Sequence, residues 1–280
     1  LKSGNAVILR GSSYCLDSNI AILETLQEAL DENKCNKNIF QIIESKDRKD
    51  TLEFMNLTEY VDLIIPRGGK GLIQTLVENS KVPFILDGDG NVHLYVHSDA
   101  QKESIIDIIL NSKIQRPGVC NALETLLINK EMYNEMGKQI IEALLANNVE
   151  LFVDDVVKKD FSNLNSASEE HYAKEFLDLK LAVKIVDNVD EAVNHIKLFS
   201  SGHTEAILSQ SDIVSEKFAK SIDSSVIFIN SSTRFTDGEM FGFGSEIGIS
   251  TQKLHVRGPM GLDALTNERY VVKGKGTVRE

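Results

Sequence analysis

The chain alternates between short apolar runs and longer segments in which apolar residues recur every three or four positions. The short runs predict strands, and the longer segments predict helices. We predict strands at residues 5–9, 39–43, 63–66, 84–86, 93–96, 150–153, 179–186, 206–208 and 226–230. We predict helices at residues 18–30, 47–52, 72–77, 104–113, 133–146, 189–199 and 213–222. This succession is typical of an α/β protein with a doubly wound parallel sheet.

Two regions leave alternatives open. Residues 122–128 are apolar enough to form either a strand or the start of a buried helix. A turn-rich stretch at residues 112–117 ends in Pro117, and we expect a hinge there, with a second α/β unit beginning near Lys113.

Composition excludes several classes of function. The chain has 280 residues and a net charge of −12, from 30 basic and 42 acidic residues, so nucleic acid is not the expected partner. No apolar run reaches the roughly 18 residues of a membrane-spanning helix, and the first residues do not form a signal peptide. We therefore expect no membrane partner.

The three cysteines, Cys15, Cys35 and Cys120, have neither disulfide-framework nor metal-ligand spacing. We expect no metal site, and a reducing, cytoplasmic location.

The most informative local pattern surrounds Cys120. Pro117 and Gly118 break the backbone just before it, and the apolar run Ala122–Ile128 follows. We expect neighbouring backbone N–H groups and Arg116 to lower the pKa of the thiol. Cys120 would then be the most reactive of the three cysteines, as a nucleophile requires. The alternative is an inert, buried cysteine.

Longer motifs in the C-terminal half point in the same direction. These are RPGVCNALETLLI at residues 116–128, NSSTRFTDG at 230–238, FGFGSEIGISTQKLH at 241–255 and RGPMGL at 257–262. Together they closely resemble the gamma-glutamyl phosphate reductase family, a branch of the aldehyde dehydrogenase superfamily. The resemblance runs along essentially the whole chain. The family carries roughly a further third of its length before the point that matches Leu1, so we expect the chain to be N-terminally incomplete.

The resemblance implies an aldehyde dehydrogenase-like α/β fold. It implies a Rossmann-type cofactor domain over residues 1–113, a second α/β catalytic domain over 114–254 and a C-terminal segment over 255–280 with a short oligomerisation arm. It also implies reduction of L-glutamyl 5-phosphate to L-glutamate 5-semialdehyde by NADPH, through a thioester on Cys120. A glutamate 5-kinase, separate or fused, is the implied functional partner, and a homo-oligomer is the implied assembly.

Five residues are expected to bind the cofactor. Arg10 and Ser12 follow a predicted strand at the place where the superfamily holds the adenosine ribose. The guanidinium of Arg10 suits a 2′-phosphate, which favours NADP. Gly68 and Gly69 precede a predicted helix and allow close approach of a phosphate, although the motif is neither a Walker sequence nor GxGxxG. Glu175 matches the superfamily glutamate that holds the nicotinamide ribose.

Four residues are expected to bind the substrate. Arg234 can grip a carboxylate or a phosphate, and His203 lies in a polar cluster at the end of an element. Asp237 or Glu246 can meet the substrate ammonium group, although Glu246 can equally tie down the glycine-rich loop. The acidic stretch 87–93 lacks the final glutamate of a calcium loop. The ELGG pattern of hydrolytic aldehyde dehydrogenases is absent from the sequence, which fits a reductase.

Two other functions compete with this one. The chain can be a truncated, non-catalytic paralogue that acts as a binding or assembly partner, or an aldehyde dehydrogenase that acts on a free aldehyde. Residues 265–278 are too poor in apolar side chains to form a core, so we predict an extended arm that pairs with another subunit.

Overall fold

Seven strands form one parallel sheet in the computed structural model, which describes residues 1–279 apart from the side chain of Lys70. The chain folds as two compact units. Unit 1 comprises Leu1–Ile64, Gly68–Phe84 and the residues from Gly261 onward, and unit 2 comprises Ile65–Arg67 and Ile85–Met260.

Unit 1 is a small α/β unit. Its strands are β1 (Val7–Leu9) and β2 (Phe40–Ile42), and its helices are α1 (Leu16–Glu32), α2 (Arg48–Phe54) and α3 (Lys70–Asn79). The two strands pair in parallel with Val7 opposite Phe40, as expected when a helix connects two neighbouring strands. The residues predicted as strands at 63–66 and 84–86 form no strand, and only a single parallel bridge joins Ile64 to Phe84.

Unit 2 contains the large sheet, with strand order β6-β5-β7-β4-β3-β8-β9. Its sheet strands are β3 (Val92–Val96), β4 (Leu123–Asn129), β5 (Glu150–Val153), β6 (Asn165–Ser166), β7 (Lys180–Val186), β8 (Thr204–Leu208) and β9 (Val226–Ile229). Its helices are α4 (Lys102–Ile114), α5 (Lys130–Met132), α6 (Lys138–Ala146), α7 (Asp155–Asp160), α8 (Glu169–Tyr172), α9 (Val189–Phe199) and α10 (Asp212–Ser221). A π-helical turn, Tyr133–Gly137, joins α5 to α6, and two short strands, β10 (Ile249–Ser250) and β11 (Gly258–Pro259), pair antiparallel outside the sheet.

Alternate side chains of each central strand enter two separate cores, because successive residues of a strand point to opposite faces. On β3, Leu94 and Val96 pack in the core that contains residues of α4 and α6, whereas Tyr95 packs in the core formed with α9 and α10. All seven residues of β4 are buried, as in a strand covered on both faces. Unit 2 is thus a helix–sheet–helix sandwich, and the predicted α/β class is confirmed.

Residues 122–128, which the sequence left open between strand and helix, form the strand β4. The short edge strand β6 was not among the predicted strands. The compact units do not divide where the hinge was expected, because α4 continues to Ile114 and residues 112–117 lie wholly within unit 2. The assignment of a cofactor-binding domain to 1–113, a catalytic domain to 114–254 and an assembly segment to 255–280 stays a prediction.

The C-terminal segment forms no strand or hairpin over residues 266–279; Glu280 lies outside the described residues. Tyr270, Val271 and Val272 are exposed. An isolated hairpin gains too little buried surface to be stable alone, so the proposed pairing of this arm with another subunit stays a prediction. Across residues 1–279, no helix combines the length and the apolar character needed to cross a bilayer.

The buried histidine of α9 gives a prediction for acid stability. His195 packs edge-on against Tyr172, with ring centroids 4.9 Å apart, and neither of its ring nitrogens has a hydrogen-bond partner. Burial lowers the pKa of His195 to about 3, and the nearby His93 and Lys184 lower it further. The unfolded chain therefore binds a proton at His195 below about pH 6.5, where the folded chain does not, so stability is lost as pH falls through this window.

The unfolding free energy of the wild type falls when the pH is lowered from 7 to 4.5. We expect this fall to be about 2 kcal/mol smaller in His195→Phe. Urea titrations at the two pH values measure this difference. The matched control is His255→Gln at an exposed position. Equal losses in the wild type and His195→Phe would show that His195 is not the responsible group.

Candidate active site

Cys120 occupies a tight turn immediately before β4. The N–H of Ala122 donates to the carbonyl of Val119 at 3.0 Å, which places Cys120 and Asn121 at the centre of the turn. Asn121 anchors it, because its side-chain amide donates to the carbonyl of Thr236 at 2.7 Å and its own carbonyl accepts the Thr233 hydroxyl at 2.8 Å. The turn is therefore fixed from both sides by buried hydrogen bonds.

Gly90 brings the segment before β3 directly against this turn. A Cβ atom at position 90 would stand 1.7 Å from the carbonyl oxygen of Cys120, so only glycine fits. The N–H of Gly90 donates to Oε1 of Glu175 at 2.7 Å. Cys120, Gly90 and Glu175 thus meet at the amino ends of β4, β3 and β7, the opposite edge from the one at which open α/β sheets usually bind ligands.

The charges around Cys120 disfavour its thiolate. Burial, with smaller contributions from the carboxylates of Glu246 and Glu175, raises the pKa of the Cys120 thiol to about 11. Its own backbone N–H and the guanidinium of Arg67 act in the opposite direction. The expectation of a lowered pKa was wrong, because Cys120 precedes a strand rather than a helix N-terminus and because two acids face it.

Exposure reverses the expected order of thiol reactivity as well. Cys15 and Cys35 are exposed, whereas Cys120 is half-buried. In the free protein an external alkylating agent therefore meets Cys15 and Cys35 first, and the reactivity of Cys120 must be measured after these two are replaced.

The effect of Glu246 on the thiol is directly testable. In a Cys15→Ser/Cys35→Ser background, we expect Glu246→Gln to lower the apparent pKa of iodoacetamide alkylation at Cys120 by about one unit, because a negative charge beside the thiolate is removed. The reaction rate against pH, followed by mass spectrometry, measures it. Glu239→Gln changes an exposed acid in the same loop and is the matched control. An unchanged profile in Glu246→Gln would remove this carboxylate from the electrostatics of Cys120.

Arg234, a predicted substrate residue, interacts electrostatically with Cys120 in the turn Val119–Ala122. Its Nε donates to Oε1 of Gln115 at 2.9 Å. Burial lowers the pKa of Arg234 and the charge of Arg116 lowers it further, while Cys120 and Asp237 oppose the shift. Two guanidinium groups, on Arg116 and Arg234, therefore interact beside the turn, an arrangement suited to an anion.

Asp237 and Glu246 organise the loop that follows Arg234. Oδ1 of Asp237 accepts the N–H groups of Glu239 at 2.9 Å and Met240 at 3.1 Å. Oε2 of Glu246 accepts the N–H of Gly238 at 2.9 Å. The sequence left open that Glu246 holds the glycine-rich loop in place, and its hydrogen bond to the N–H of Gly238 is a contact of that kind. A contact of either carboxylate with a substrate ammonium group stays a prediction.

His203 lies just before β8 and is fully buried. Its Nδ1 shares a hydrogen bond with the Thr204 hydroxyl at 2.8 Å, and that hydroxyl lies 2.9 Å from the hydroxyl of Thr236. Burial lowers the pKa of His203 to about 4, so the ring is neutral at pH 7. His203 joins the hydrogen-bonded network behind Asn121, and its expected contact with substrate stays a prediction.

Four of the five residues expected to bind the cofactor lie in unit 1. Arg10 is exposed just after β1, and the hydroxyl of Ser12 accepts the N–H of Tyr14 at 3.3 Å. Gly69 is the N-terminal capping residue of α3 and has open space where a Cβ would stand, whereas a Cβ at Gly68 would lie 2.8 Å from a methyl group of Leu72. Glu175, the fifth, lies in unit 2 beside Gly90.

Sequence reasoning missed Arg67 as a site residue. Its guanidinium forms an ion pair with the carboxylate of Asp87, whose Oδ1 also accepts the N–H of Ile249 at 3.0 Å. The only signal in the sequence was the position of Arg67 beside Gly68–Gly69, and that signal pointed to the cofactor rather than to Cys120. Among residues 1–279, no three His, Cys, Asp or Glu side chains are grouped as metal ligands.

Comparison with known proteins identifies relatives along the whole chain. Residues 1–175 match the Aldehyde dehydrogenase family. The chain is 48% identical over 279 residues to the gamma-glutamyl phosphate reductase of Clostridium botulinum strain Eklund 17B, covering 100% of this chain and 67% of that protein. It is 48% identical over 280 residues to the enzyme of the same name from Caldanaerobacter subterraneus, covering 100% of this chain and 68% of that protein.

A solved structure agrees with these matches. The crystal structure of the gamma-glutamyl phosphate reductase of Thermotoga maritima is similar to this chain with a TM-score of 0.97 and 44% identity, over 100% of this chain and 67% of that one. The chain thus spans about two thirds of the length of these relatives.

Proposed function

The chain belongs to the aldehyde dehydrogenase family, in its gamma-glutamyl phosphate reductase branch, and from this we propose that it reduces L-glutamyl 5-phosphate to L-glutamate 5-semialdehyde with NADPH in proline biosynthesis. The observation that carries the proposal is the position of Cys120, in a rigid turn that faces both cationic and acidic side chains at one edge of the sheet.

In the first step the Cys120 thiol gives up its proton to solvent, and its Sγ attacks the acyl carbon. A carbon–sulfur bond forms, the carbon–oxygen bond to phosphate breaks, and phosphate leaves. The backbone N–H of Cys120 is a donor for the oxygen that becomes negative during this attack. Arg67 and Arg234, which favour negative charge at or near Cys120, suit the incoming acyl phosphate and the departing phosphate.

In the second step NADPH, when bound, would supply the hydride that reduces the thioester carbon. The carbon–sulfur bond then breaks, Cys120 takes up a proton, and the semialdehyde is released. The absence of an ELGG sequence fits this outcome, because a glutamate that activates water would hydrolyse the thioester before reduction.

Substrate recognition in this proposal falls to the loop after β9. Arg234 binds a carboxylate or phosphate group of the substrate, and Asp237 or Glu246 faces its ammonium group. His203 supports the loop through Thr204 and Thr236 and is neutral, so it contributes shape and one hydrogen-bonding nitrogen rather than charge.

The residues proposed to hold NADPH fit that cofactor. Arg10 presents an exposed guanidinium, which can donate paired hydrogen bonds to a 2′-phosphate. Ser12 is exposed in the same turn. Gly69 leaves open space before the ten-residue helix α3 and makes no side-chain cap, so backbone N–H groups at this end can face a phosphate. Glu175, in unit 2, is proposed to accept hydrogen bonds from the nicotinamide ribose.

We expect Arg10→Ala to weaken NADPH binding by roughly tenfold to a hundredfold and NADH binding by less than about threefold. Only NADPH carries the 2′-phosphate, so only NADPH loses a charge-assisted contact. Fluorescence titration with each cofactor measures the two dissociation constants. Arg48→Ala, at an exposed position on α2 of the same unit, is the control. Equal losses for both cofactors would show that Arg10 does not recognise the phosphate.

The activity itself is tested with the purified chain, NADPH and L-glutamyl 5-phosphate generated from glutamate and ATP by a glutamate 5-kinase. We expect loss of NADPH absorbance, matched by equal amounts of phosphate and semialdehyde. Oxidation of NADPH without phosphate release would instead indicate a different substrate. Failure to bind NADPH or to turn over would favour the non-catalytic binding or assembly partner.

The remaining proposals concern the setting of the enzyme. A glutamate 5-kinase is the proposed functional partner, because its product is the acyl phosphate that this reaction consumes. The proposed assembly is a homo-oligomer that uses the segment after Leu265, and the proposed location is the cytoplasm.

A further inference from the structure

A completely buried ion pair lies beneath the nucleophile turn. Nζ of Lys113, in the last turn of α4, lies 2.8 Å from Oε2 of Glu124, the second residue of β4. Both side chains are 0% exposed. Burial lowers the pKa of Lys113 and raises that of Glu124, because both charges are removed from water, and each partner's charge opposes these shifts.

Stability alone does not explain this pair. Removing two charges from water costs roughly as much as their attraction returns, and an apolar pair of the same size usually serves a core as well or better. The distinguishing feature of Glu124 is its other oxygen. Oε1 accepts the backbone N–H of Leu177 at 3.1 Å, outside the core and on the loop that leads into β7.

Leu177 needs such an anchor. Its φ is 54°, in the left-handed region that glycine tolerates and leucine disfavours by about 1 kcal/mol or more. Its side chain is 47% exposed, so side-chain packing does not account for the strained backbone. The bond to Glu124 holds this backbone in place. The Leu177 carbonyl lies beside Gly118, just before the turn that carries Cys120, since a Cβ at Gly118 would be in ordinary contact with it at 3.6 Å.

The strained residue lies two positions after Glu175. Glu175 in turn accepts the N–H of Gly90 at 2.7 Å and raises the pKa of Cys120. Hydrogen bonds therefore link Lys113 to Glu124 and Glu124 to Leu177, and the chain links Leu177 to Glu175, whose charge acts on Cys120.

We propose that Glu124, held by Lys113, is a positioning residue that places Glu175 beside Cys120 by fixing the Leu177 amide in its left-handed conformation. The catalytic consequence rests on the proposed function of Cys120 and Glu175, but the geometric consequence does not. If Glu124 is lost, Glu175 moves away from the thiol, and the alkylation profile of Cys120 changes.

The Cys120 thiol, whose alkylation reports the change, interacts with several charged side chains. The thiol faces Glu246, Glu175 and Arg67, and it interacts with Arg234. Glu124 interacts electrostatically with Lys113 and Glu175, and Lys113 also interacts with Asp178. Lys113→Met/Glu124→Gln and Lys113→Met/Glu124→Leu remove the same two charges, so a difference between their Cys120 profiles is transmitted through the loop and not by direct electrostatics.

The experiment uses two matched double variants in the Cys15→Ser/Cys35→Ser background. Lys113→Met/Glu124→Leu removes both charges and the acceptor for Leu177, while Lys113→Met/Glu124→Gln removes the charges and keeps an amide oxygen as acceptor. We expect the first to lower the apparent pKa of Cys120 alkylation by about one unit, about as much as Glu175→Gln does. We expect the second to stay within about twofold of the parent rate at every pH.

Combination with Glu175→Gln gives the sharpest readout. If Glu124 acts through Glu175, Lys113→Met/Glu124→Leu adds nothing to the effect of Glu175→Gln. Additive effects would overturn the proposal, as would equal profiles in the two double variants. Hydrogen exchange of the peptide containing residues 173–179 is expected to accelerate in Lys113→Met/Glu124→Leu and to stay unchanged in Lys113→Met/Glu124→Gln.

Three further variants keep the test decisive if the apolar pair does not fold. Glu124→Asp keeps the charge but is too short to reach both partners, and we expect the same direction of change as in Glu124→Leu. Leu177→Gly removes the backbone strain and is expected to reduce the effect of Glu124→Asp, whereas Leu177→Ala, which keeps the strain, is not. An unchanged Cys120 profile in Glu124→Asp would overturn the proposal.

These measurements need neither NADPH nor substrate, so failure of the proposed function leaves them intact. Where the enzyme turns over, the two double variants are also expected to differ in their KM for NADPH. Lys113→Met/Glu124→Leu raises this KM about tenfold, and Lys113→Met/Glu124→Gln does not.

Discussion

Replacement of Cys120 by alanine is expected to reduce the rate of NADPH-dependent reduction by at least about 10⁴-fold. No other side chain of the turn Val119–Ala122 can form a thioester, so the two-step route is lost rather than weakened. The rate is measured as NADPH oxidation with L-glutamyl 5-phosphate supplied by a kinase. In the absence of NADPH, the wild type is expected to gain the mass of a glutamyl group on the Cys120 peptide, and Cys120→Ala is not.

The control for this experiment is Cys15→Ala/Cys35→Ala, which removes both exposed thiols and is expected to retain the wild-type rate within about twofold. NADPH binding by Cys120→Ala is expected to be unchanged, which separates loss of the nucleophile from loss of fold. Substantial activity in Cys120→Ala would reject the thioester mechanism, and activity lost only in the double variant would move the nucleophile to unit 1.

The raised pKa of Cys120 has a consequence for the mechanism. A thiol with a pKa of about 11 is almost entirely protonated at pH 7, so in the free protein it is protected from chance oxidation and alkylation. In the proposed reaction the guanidinium groups of Arg67 and Arg234 have to offset the two acids before the thiolate forms.

Much of the fold follows from apolar periodicity. The helix predicted at residues 189–199 begins and ends where α9 does, because Asn188 caps it with hydrogen bonds to Asp190 and Glu191 and a regular apolar face packs on the sheet. The strand predicted at residues 93–96 matches β3 to within one residue, and all five residues of β3 are buried, as in a parallel strand covered on both faces. By contrast, the runs at 63–66 and 84–86 are apolar but make only one bridge, because strand formation needs a neighbour in register and the sequence carries no information on pairing.

The site was less accessible to sequence reasoning. The turn before Cys120 was visible in Pro117 and Gly118, but the sign of its electrostatic environment was not. Glu175 and Glu246 lie far from Cys120 along the chain, and only the tertiary fold brings their charges to the thiol. The buried pair of Lys113 and Glu124 was invisible for the same reason, since charged residues in sequence are ordinarily read as exposed.

Gly90 is the position at which a single methyl group is expected to do most damage. In Gly90→Ala the new Cβ would stand 1.7 Å from the carbonyl oxygen of Cys120, and the obstacle is backbone rather than a flexible side chain. Either the segment before β3 or the nucleophile turn must move. We expect a loss of about 2–4 kcal/mol in unfolding free energy and a fall in kcat of about 10²-fold, because displacement of a reacting atom by about 1 Å is enough for such a loss.

The substitution keeps the N–H of Gly90 and hence its capacity to donate to Glu175, so steric displacement is tested separately from loss of that hydrogen bond. Urea unfolding gives the stability change, and the pH profile of Cys120 alkylation shows whether the turn has moved. Gly71→Ala is the matched control, because a Cβ at Gly71 meets nothing within 4 Å inside helix α3, and alanine there is expected to be neutral or stabilising by up to about 1 kcal/mol. Gly90→Ala could instead match Gly71→Ala in stability, rate and alkylation profile. The packing of Gly90 on the turn Val119–Ala122 would then not be needed to hold Cys120 in place.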